Sequence, residues 1–225
     1  PGQTGYHAYD KAVCRATVDW LARRGRTPKA PPFLLVVGFA SPHCPYVAPP
    51  EDFARAAGRI SPADLPAGDE ALHPLLRQWR RATGLEPPPP VDAQWRARVA
   101  YCGLCGLLDR LVGRVLAALA EAGLAERTVV VYTSDHGEML GEHGLWWKST
   151  FYDGAARVPL LVAAPGRIAP GRRIAQPVSL IDVGPTLLDL AAAGPLPGAS
   201  GRSLRGLLEG SDAAGEQPVF AENIA

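Results

Sequence analysis

The stretch Thr-Val-Val-Val-Tyr-Thr-Ser-Asp-His-Gly-Glu at residues 128–138 decides the expected fold. Its first six residues have the β-branched and aromatic composition of a buried strand, and reactive side chains follow at once. A similar run, Phe-Leu-Leu-Val-Val-Gly-Phe at 33–39, leads into another polar turn, and a third run covers 158–163. Strands that are separated by helical sequence predict an α/β fold with a mainly parallel central sheet flanked by helices.

Helical periodicity fills much of the sequence between these runs. Apolar residues recur at three- and four-residue spacing over 8–24 and 93–122, and a third helix is predicted over 182–193. The stretch 41–92 is rich in proline and predicts an excursion over the surface with at most short helices. Pro-Val-Phe-Ala at 218–221 predicts one more strand.

Composition excludes several classes of protein. The chain has 225 residues, of which 47% are hydrophobic, so it can fill a core. Its formal charge of +1 argues against a nucleic-acid partner bound through bulk charge. No apolar run approaches the ~20 residues that span a membrane, so no membrane partner is expected. The pair Cys102 and Cys105 lies inside a predicted helix without a second such pair, which favours small buried hydrophobes over a zinc or redox site.

Candidate site residues follow two of the predicted strands. Because ligands gather at the carboxyl ends of parallel strands, we expect His43 to lie near Asp135 and His136. The carboxylate and imidazole of that adjacent pair suit a divalent cation, although two ligands are only half a site. The alternative is a polar strand end at which Asp135 caps a helix.

Lys148 offers a point charge for an oxyanion, and His43, held between prolines, offers a fixed imidazole. Taken alone, a lysine such as Lys148 is more often just a solvated surface residue, and a loop histidine such as His43 is more often structural.

Taken together, the motifs at residues 133–148 follow the pattern T-S-D-H-G-x-x-x-G-x-x-G-x-x-x-K. In this pattern, and in matching stretches at 33–50, 108–116 and 157–166, the chain resembles the sulfatases of the alkaline phosphatase superfamily. The Leu-Trp-Trp-Lys and Ala-Pro-Pro-Glu details are most similar to the choline-sulfatase branch. The resemblance implies an alkaline-phosphatase-like sandwich and the hydrolysis of a small-molecule sulfate ester.

The resemblance also implies a role for each candidate residue. Asp135 and His136 would bind the active-site divalent cation, which is usually Ca²⁺ in sulfatases and sometimes Mn²⁺ in relatives. His43 and Lys148 would hold the sulfate oxygens, and one of the two would assist the leaving alcohol. A metal ion and a lysine both stabilise charge on the sulfuryl oxygens during in-line displacement.

Two features of the family are missing from the sequence. Sulfatases use a formylglycine made from the first residue of C/S-x-P-x-R, and no cysteine here fits that pattern. The family's early Asp-Asp metal pair is also absent. We therefore expect residues 1–225 to be the C-terminal part of a sulfatase catalytic domain, incomplete at both ends, with the formylglycine in the upstream part. We expect the parent protein to be the enzyme and this chain alone to be inactive.

Several alternatives stay open at this point. A phosphonate monoester or phosphodiester hydrolase shares the Asp-His pair and the lysine, and a pseudoenzyme would only bind anions. Trp146 and Trp147 either form an aromatic wall that binds a quaternary ammonium group or pack the loop against the core, and we favour the packing interpretation. Arg157 either anchors the Lys148 loop or pairs with an acid such as Asp153, and His143 is a candidate neighbour of the metal site. The sequence leaves assembly into oligomers, and a cytoplasmic or periplasmic location, undecided.

Overall fold

The computed structural model describes residues 1–27, 29–62, 72–211 and 218–221. The helices are α1 (Gly5–Gly25), α2 (Pro50–Ala57), α3 (Pro74–Ala82), α4 (Val91–Glu121), α5 (Asp153–Ala156), α6 (Val183–Leu190) and α7 (Arg205–Glu209). The strands are β1 (Val130–Thr133), β2 (Met139–Leu140), β3 (Trp146–Trp147) and β4 (Leu160–Ala163). Within the described ranges, no helix combines the length and the apolarity that crossing a membrane requires.

The chain forms two compact units, and the first comprises Pro1–Ala125 and Gly137–Arg157. Its core lies where α1 and α2 pack on the long helix α4. Cys14 of α1 is fully buried against Leu107 and Leu111 of α4. Gly103 of α4 permits close approach, because a Cβ there would lie 2.8 Å from the Cβ of Ala48. The hairpin of β2 and β3 also belongs to this unit. It packs in a separate hydrophobic cluster of buried residues, Leu72, Met139, Leu145 and Ala155.

The second unit comprises Glu126–His136 and Val158–Ala225. Strands β1 and β4 pair antiparallel in it, with Val130 opposite Ala163 and Thr133 opposite Leu160. The mainly parallel pairing that the sequence predicts therefore does not hold for these two strands. Parallel neighbours need a crossover that is usually a full helix, and the connection from β1 to β4 holds only the β2–β3 hairpin and the one-turn helix α5. Both strands are half exposed rather than fully covered.

The predicted helices are confirmed and their bounds are refined. Helix α1 covers the predicted 8–24 and begins three residues earlier, and α4 matches 93–122 within two residues at each end. The helix predicted over 182–193 is shorter, since a 3-10 turn holds Asp182 before α6 and the helix ends at Leu190, ahead of Ala192 with φ 51°. The Pro-rich stretch 41–92 holds only the short helices α2 and α3 among its described residues; residues 63–71 lie outside them.

The strand predicted over 33–39 is wrong as stated. The segment has no ladder partner among the described residues, and burial alternates along it instead of being continuous. Phe33 packs on Trp20 with ring centroids 5.0 Å apart, whereas Leu34 is 77% exposed and Val36 is 83% exposed. A run of apolar residues predicts that some of the side chains are buried. It does not show whether one face of the segment or both faces are buried. Residues 218–221 likewise form no strand, and Phe220 is 85% exposed.

Candidate active site

The side chains of His43 and Lys148 meet in the first unit. Lys148 Nζ lies 2.8 Å from His43 Nε2, and His43 Nδ1 lies 2.7 Å from the carbonyl oxygen of Cys44. A charged lysine has donors only, so it donates to Nε2, and the proton of the neutral imidazole is then on Nδ1, which donates to the Cys44 carbonyl. Both side chains are half-buried. The arrangement leaves a proton donor and an imidazole side by side at the protein surface.

His43 lies in a turn that is closed by a hydrogen bond between two of its own backbone groups. Its N–H donates to the carbonyl oxygen of Ala40 at 2.9 Å. The two preceding N–H groups of the turn, those of Ala40 and Ser41, donate to the carboxylate of Asp10 at 2.7 and 3.0 Å. The sequence analysis missed Asp10, because an acidic residue on an amphipathic helix ordinarily indicates a solvated face.

Lys148 directly follows the second strand of the β2–β3 hairpin. Met139 pairs with Trp147 and Leu140 with Trp146 in this hairpin. The backbone turns sharply on either side of the lysine, since Trp147 has φ 67° and Ser149 has φ 78°. Left-handed conformations cost non-glycine residues about 1–2 kcal/mol, so the surrounding structure must hold this segment in place.

Arg98 of α4 stabilises the tip of the same hairpin. Its Nη1 donates to the carbonyl oxygen of Leu140 at 2.9 Å and to Glu142 Oε1 at 3.2 Å. The other oxygen of Glu142 accepts from the Leu140 N–H at 2.6 Å. Helix α4 therefore fixes the loop that leads to Lys148. Neither Arg98 nor Glu142 was predicted to have this role, because residues 44 positions apart give no spacing signal.

Tyr46 and Glu138 form a second link between the segments that carry His43 and Lys148. The Tyr46 hydroxyl donates to Glu138 Oε1 at 2.6 Å. The tyrosine ring lies 6.2 Å from that of Tyr101 and 6.0 Å from that of Trp146. Burial, and then the bonded Glu138 carboxylate, raise the pKa of Tyr46 far above its ordinary value, so its hydroxyl stays a donor at any physiological pH.

Asp135 and His136 lie at the end of β1 in the second unit. Asp135 Oδ1 accepts from the His136 N–H at 3.0 Å and from the Ser134 hydroxyl at 3.4 Å, while Oδ2 lies 3.6 Å from His136 Nε2. Burial acts to raise the pKa of Asp135, but the nearby His136 and these hydrogen bonds outweigh it and lower the pKa. The carboxylate is therefore ionised at neutral pH. In the ranges that the structure describes, no group of three His, Cys, Asp or Glu residues could hold a metal ion.

The two tryptophans before Lys148 have different surroundings. Trp146 is 5% exposed and packs on Tyr46, in agreement with the packing interpretation. Trp147 is only partly buried and lines a cavity of about 180 Å³ together with Trp146, Tyr46 and residues of α4 and the loop before it, among them the polar Gln94.

The remaining candidates of the sequence analysis also have defined contacts. Cys102 and Cys105 are free thiols; Cys105 is half-buried, but Cys102 is exposed, so the prediction of two buried hydrophobes is wrong for Cys102. The outward-facing position of Cys102 on α4 explains the difference. Arg157 pairs with Asp153 at 3.1 Å on the surface. The His143 ring stacks on Tyr152 with centroids 3.9 Å apart.

Comparison with known proteins gives the class of the chain. A profile of the family described as Sulfatase matches residues 1–193. The chain therefore belongs to the sulfatase family of the alkaline phosphatase superfamily. This membership confirms the resemblance in the sequence. Together with the match to a solved structure given below, it also confirms the alkaline-phosphatase-like α/β fold.

Three similar proteins illustrate the range of the family. The chain is 34% identical over 216 residues to the choline-sulfatase of Rhizobium meliloti (strain 1021), covering 91% of this chain and 40% of that protein. It is 33% identical over 234 residues to arylsulfatase K of Xenopus laevis, covering 97% and 43% respectively. A solved phosphonate monoester hydrolase from Silicibacter pomeroyi matches with a TM-score of 0.72 at 31% identity, over 89% of this chain and 42% of that chain. The chain thus spans about two fifths of each of these proteins.

Proposed function

We propose that the protein containing this chain is a metal-dependent hydrolase of sulfate esters in which His43 and Lys148 bind the sulfate group. The observation that carries the proposal is the 2.8 Å separation of Lys148 Nζ and His43 Nε2. Both side chains can contact one tetrahedral anion, Lys148 through its Nζ donors and His43 through Nε2 when that nitrogen carries a proton. The match to the sulfatase family and to a choline-sulfatase supports sulfate as that anion.

The proposed chemistry is displacement at sulfur. An oxygen nucleophile forms a bond to sulfur, the bond from sulfur to the alcohol oxygen breaks, and the departing oxygen takes up a proton. Lys148 holds a proton at Nζ beside an imidazole that can accept or return one, so either residue can supply the proton to the alcohol. The positive charge of Lys148 stabilises the negative charge on the sulfuryl oxygens in the transition state.

Asp135 and His136 are the proposed metal ligands. One carboxylate oxygen and one imidazole nitrogen 3.6 Å apart fit the coordination of a single divalent cation, and the remaining ligands must come from elsewhere. Ca²⁺ is the first candidate and Mn²⁺ the second. When bound, the cation would polarise a sulfuryl oxygen as a Lewis acid.

A second candidate function is the hydrolysis of phosphonate monoesters. It is favoured by the structural match at 31% identity to a phosphonate monoester hydrolase. A tetrahedral phosphonate presents oxygens to His43 and Lys148 in the same way as sulfate does, so the two donors by themselves do not distinguish the substrates.

The test compares matched substrates with the whole protein. Hydrolysis of nitrophenyl sulfate and of nitrophenyl phenylphosphonate would be measured with added Ca²⁺ or Mn²⁺ and again after chelation. Sulfate ester hydrolysis that is lost with the metal is the expected result, and faster hydrolysis of the phosphonate would favour the second function. If neither ester is cleaved while inorganic sulfate still binds in a calorimetric titration, the protein is a non-catalytic anion binder and the proposal is wrong.

A further inference from the structure

Asp10 is a buried carboxylate at an unusual position for its residue type. It lies in the second turn of α1 and is 0% exposed. Its Oδ1 accepts from the Ala40 N–H at 2.7 Å and its Oδ2 accepts from the Ser41 N–H at 3.0 Å. A buried carboxylate is costly unless hydrogen bonds replace its water, and bonds to an ionised acceptor are among the stronger ones in proteins. The two bonds therefore fix one backbone segment firmly to α1.

The segment that Asp10 holds is the turn that presents His43. The turn is closed by the bond from the His43 N–H to the Ala40 carbonyl at 2.9 Å, and Pro42 has no N–H to donate. The three N–H groups of residues 40–43 therefore all have an acceptor. Two of them donate to the Asp10 carboxylate, and the third donates to the carbonyl of Ala40. Without the carboxylate, the start of the turn would lose its attachment to the helix.

The imidazole of His43 also contacts α1 directly. Tyr6 lies one helical turn before Asp10, and its ring meets the His43 ring edge to face with centroids 6.2 Å apart. The ring nitrogens of His43 are engaged by the Cys44 carbonyl and by Lys148. The first two turns of α1 thus support both the backbone and the ring of the proposed sulfate ligand.

We propose that Asp10 and Tyr6 are positioning residues that hold the His43 imidazole in the orientation needed to bind the sulfate group. This inference rests on the proposed function of His43. Asn at position 10 keeps the size of the side chain but replaces one acceptor with an amide group that faces a backbone N–H. The turn then shifts, and a displacement of about 1 Å at a reacting group can lower a rate by about 100-fold.

The second unit offers a matched control. Asp182 is 5% exposed and accepts from the N–H groups of Ser179 and Arg202 at 3.0 and 2.9 Å. It is thus a buried carboxylate with two backbone donors, as Asp10 is, but it holds segments that carry none of the proposed sulfate or metal ligands. Asp10→Asn and Asp182→Asn remove the same kind of interaction, so a purely structural role predicts the same consequences for both.

The experiment measures kcat, KM and thermal unfolding of the whole protein with a nitrophenyl sulfate substrate. Asp10→Asn is expected to lower kcat by about 10- to 100-fold, while Asp182→Asn changes kcat by less than about threefold at a comparable loss of Tm. Tyr6→Leu, a change at a partly exposed side chain, should lower kcat by about threefold to tenfold without a loss of Tm. Equal effects of Asp10→Asn and Asp182→Asn on kcat would overturn the inference.

A second readout separates this inference from the proposed function. In the whole protein, ¹⁵N NMR of the histidine rings reports the protonation pattern of His43 without any turnover. Asp10→Asn should shift the ring signals of His43 and Asp182→Asn should leave them in place. Unchanged His43 signals in Asp10→Asn would refute the positioning role. If those signals shift but the wild-type protein hydrolyses no sulfate ester and His43→Ala leaves sulfate binding unchanged, the proposed function fails instead.

Discussion

Lys148 donates a hydrogen bond from Nζ to Nε2 of His43 across 2.8 Å, and the two residues are 105 positions apart in the chain. The contact joins the turn after the extended segment 33–39 to the end of the β2–β3 hairpin. Each residue has its own support, since Asp10 holds the turn and Arg98 holds the hairpin. The pair is therefore assembled by the tertiary fold of the first unit rather than by local sequence.

Removing either partner of this pair should abolish most of the proposed activity. We expect His43→Ala and Lys148→Ala each to lower kcat of the whole protein by about 10²–10³-fold, because each removes a group that stabilises developing charge. The double variant should be little worse than the poorer single one, since both act on the same anion. Lys29→Ala, at an exposed lysine, is the matched control and should retain the wild-type kcat. Additive losses in the double variant would contradict a joint role.

The sequence predicted the residues of this pair but not what holds them. Periodicity predicts α4 well because its apolar stripe repeats over many turns, and the motif at 133–148 identifies Lys148. The extended segment 33–39 was harder, because an apolar run does not show whether one face or two are covered. The bonds of Asp10 to the turn and of Tyr46 to Glu138 could not be predicted, since they join residues 30 or more positions apart without any spacing rule.

Arg110 should contribute much more to stability than Arg96 of the same helix. Its two terminal nitrogens each lie 2.7 Å from an oxygen of Asp52, whose side chain is only 4% exposed. Among the residues that the structure describes, Arg110→Ala leaves that buried carboxylate with only the ion pair to Arg55 at 3.8 Å, so the free energy of unfolding should fall by about 2–4 kcal/mol. Arg96→Ala removes an exposed pair with Asp92 and should cost less than about 1 kcal/mol. Urea unfolding measures both losses of stability. Equal losses in the two variants would show that the burial of Asp52 does not make its pair with Arg110 more stabilising than an exposed pair.

Alkaline pH should destabilise the protein in part through Cys105. Burial, and then the nearby Cys102, raise the pKa of Cys105 from 9.0 to about 11. The unfolded thiol therefore ionises first, so stability is full below pH 9 and falls as the pH rises from 9 toward 11. Cys105→Ala should lose less stability over this interval than the wild type does. Urea unfolding at pH 8 measures how much stability Cys105→Ala loses through packing alone. If the free energies of unfolding of the wild type and the variant then fall by the same amount between pH 8 and pH 10.5, the raised pKa is contradicted.

Gly137, which directly follows the Asp135-His136 pair in the chain, should not tolerate a side chain. A Cβ at this position would overlap the carbonyl oxygen of Gly154, a backbone atom that accepts from the Glu138 N–H at 2.7 Å. Gly137→Ala must therefore displace the segment that carries Glu138, which weakens its bond to Tyr46 and lowers the free energy of unfolding by about 1–3 kcal/mol. Gly113→Ala on α4 meets nothing within 4 Å and should stabilise the helix by about 0.5–1 kcal/mol. Denaturant unfolding measures both, and a Gly137→Ala variant as stable as the wild type would show that the close approach at Gly137 does not constrain the fold.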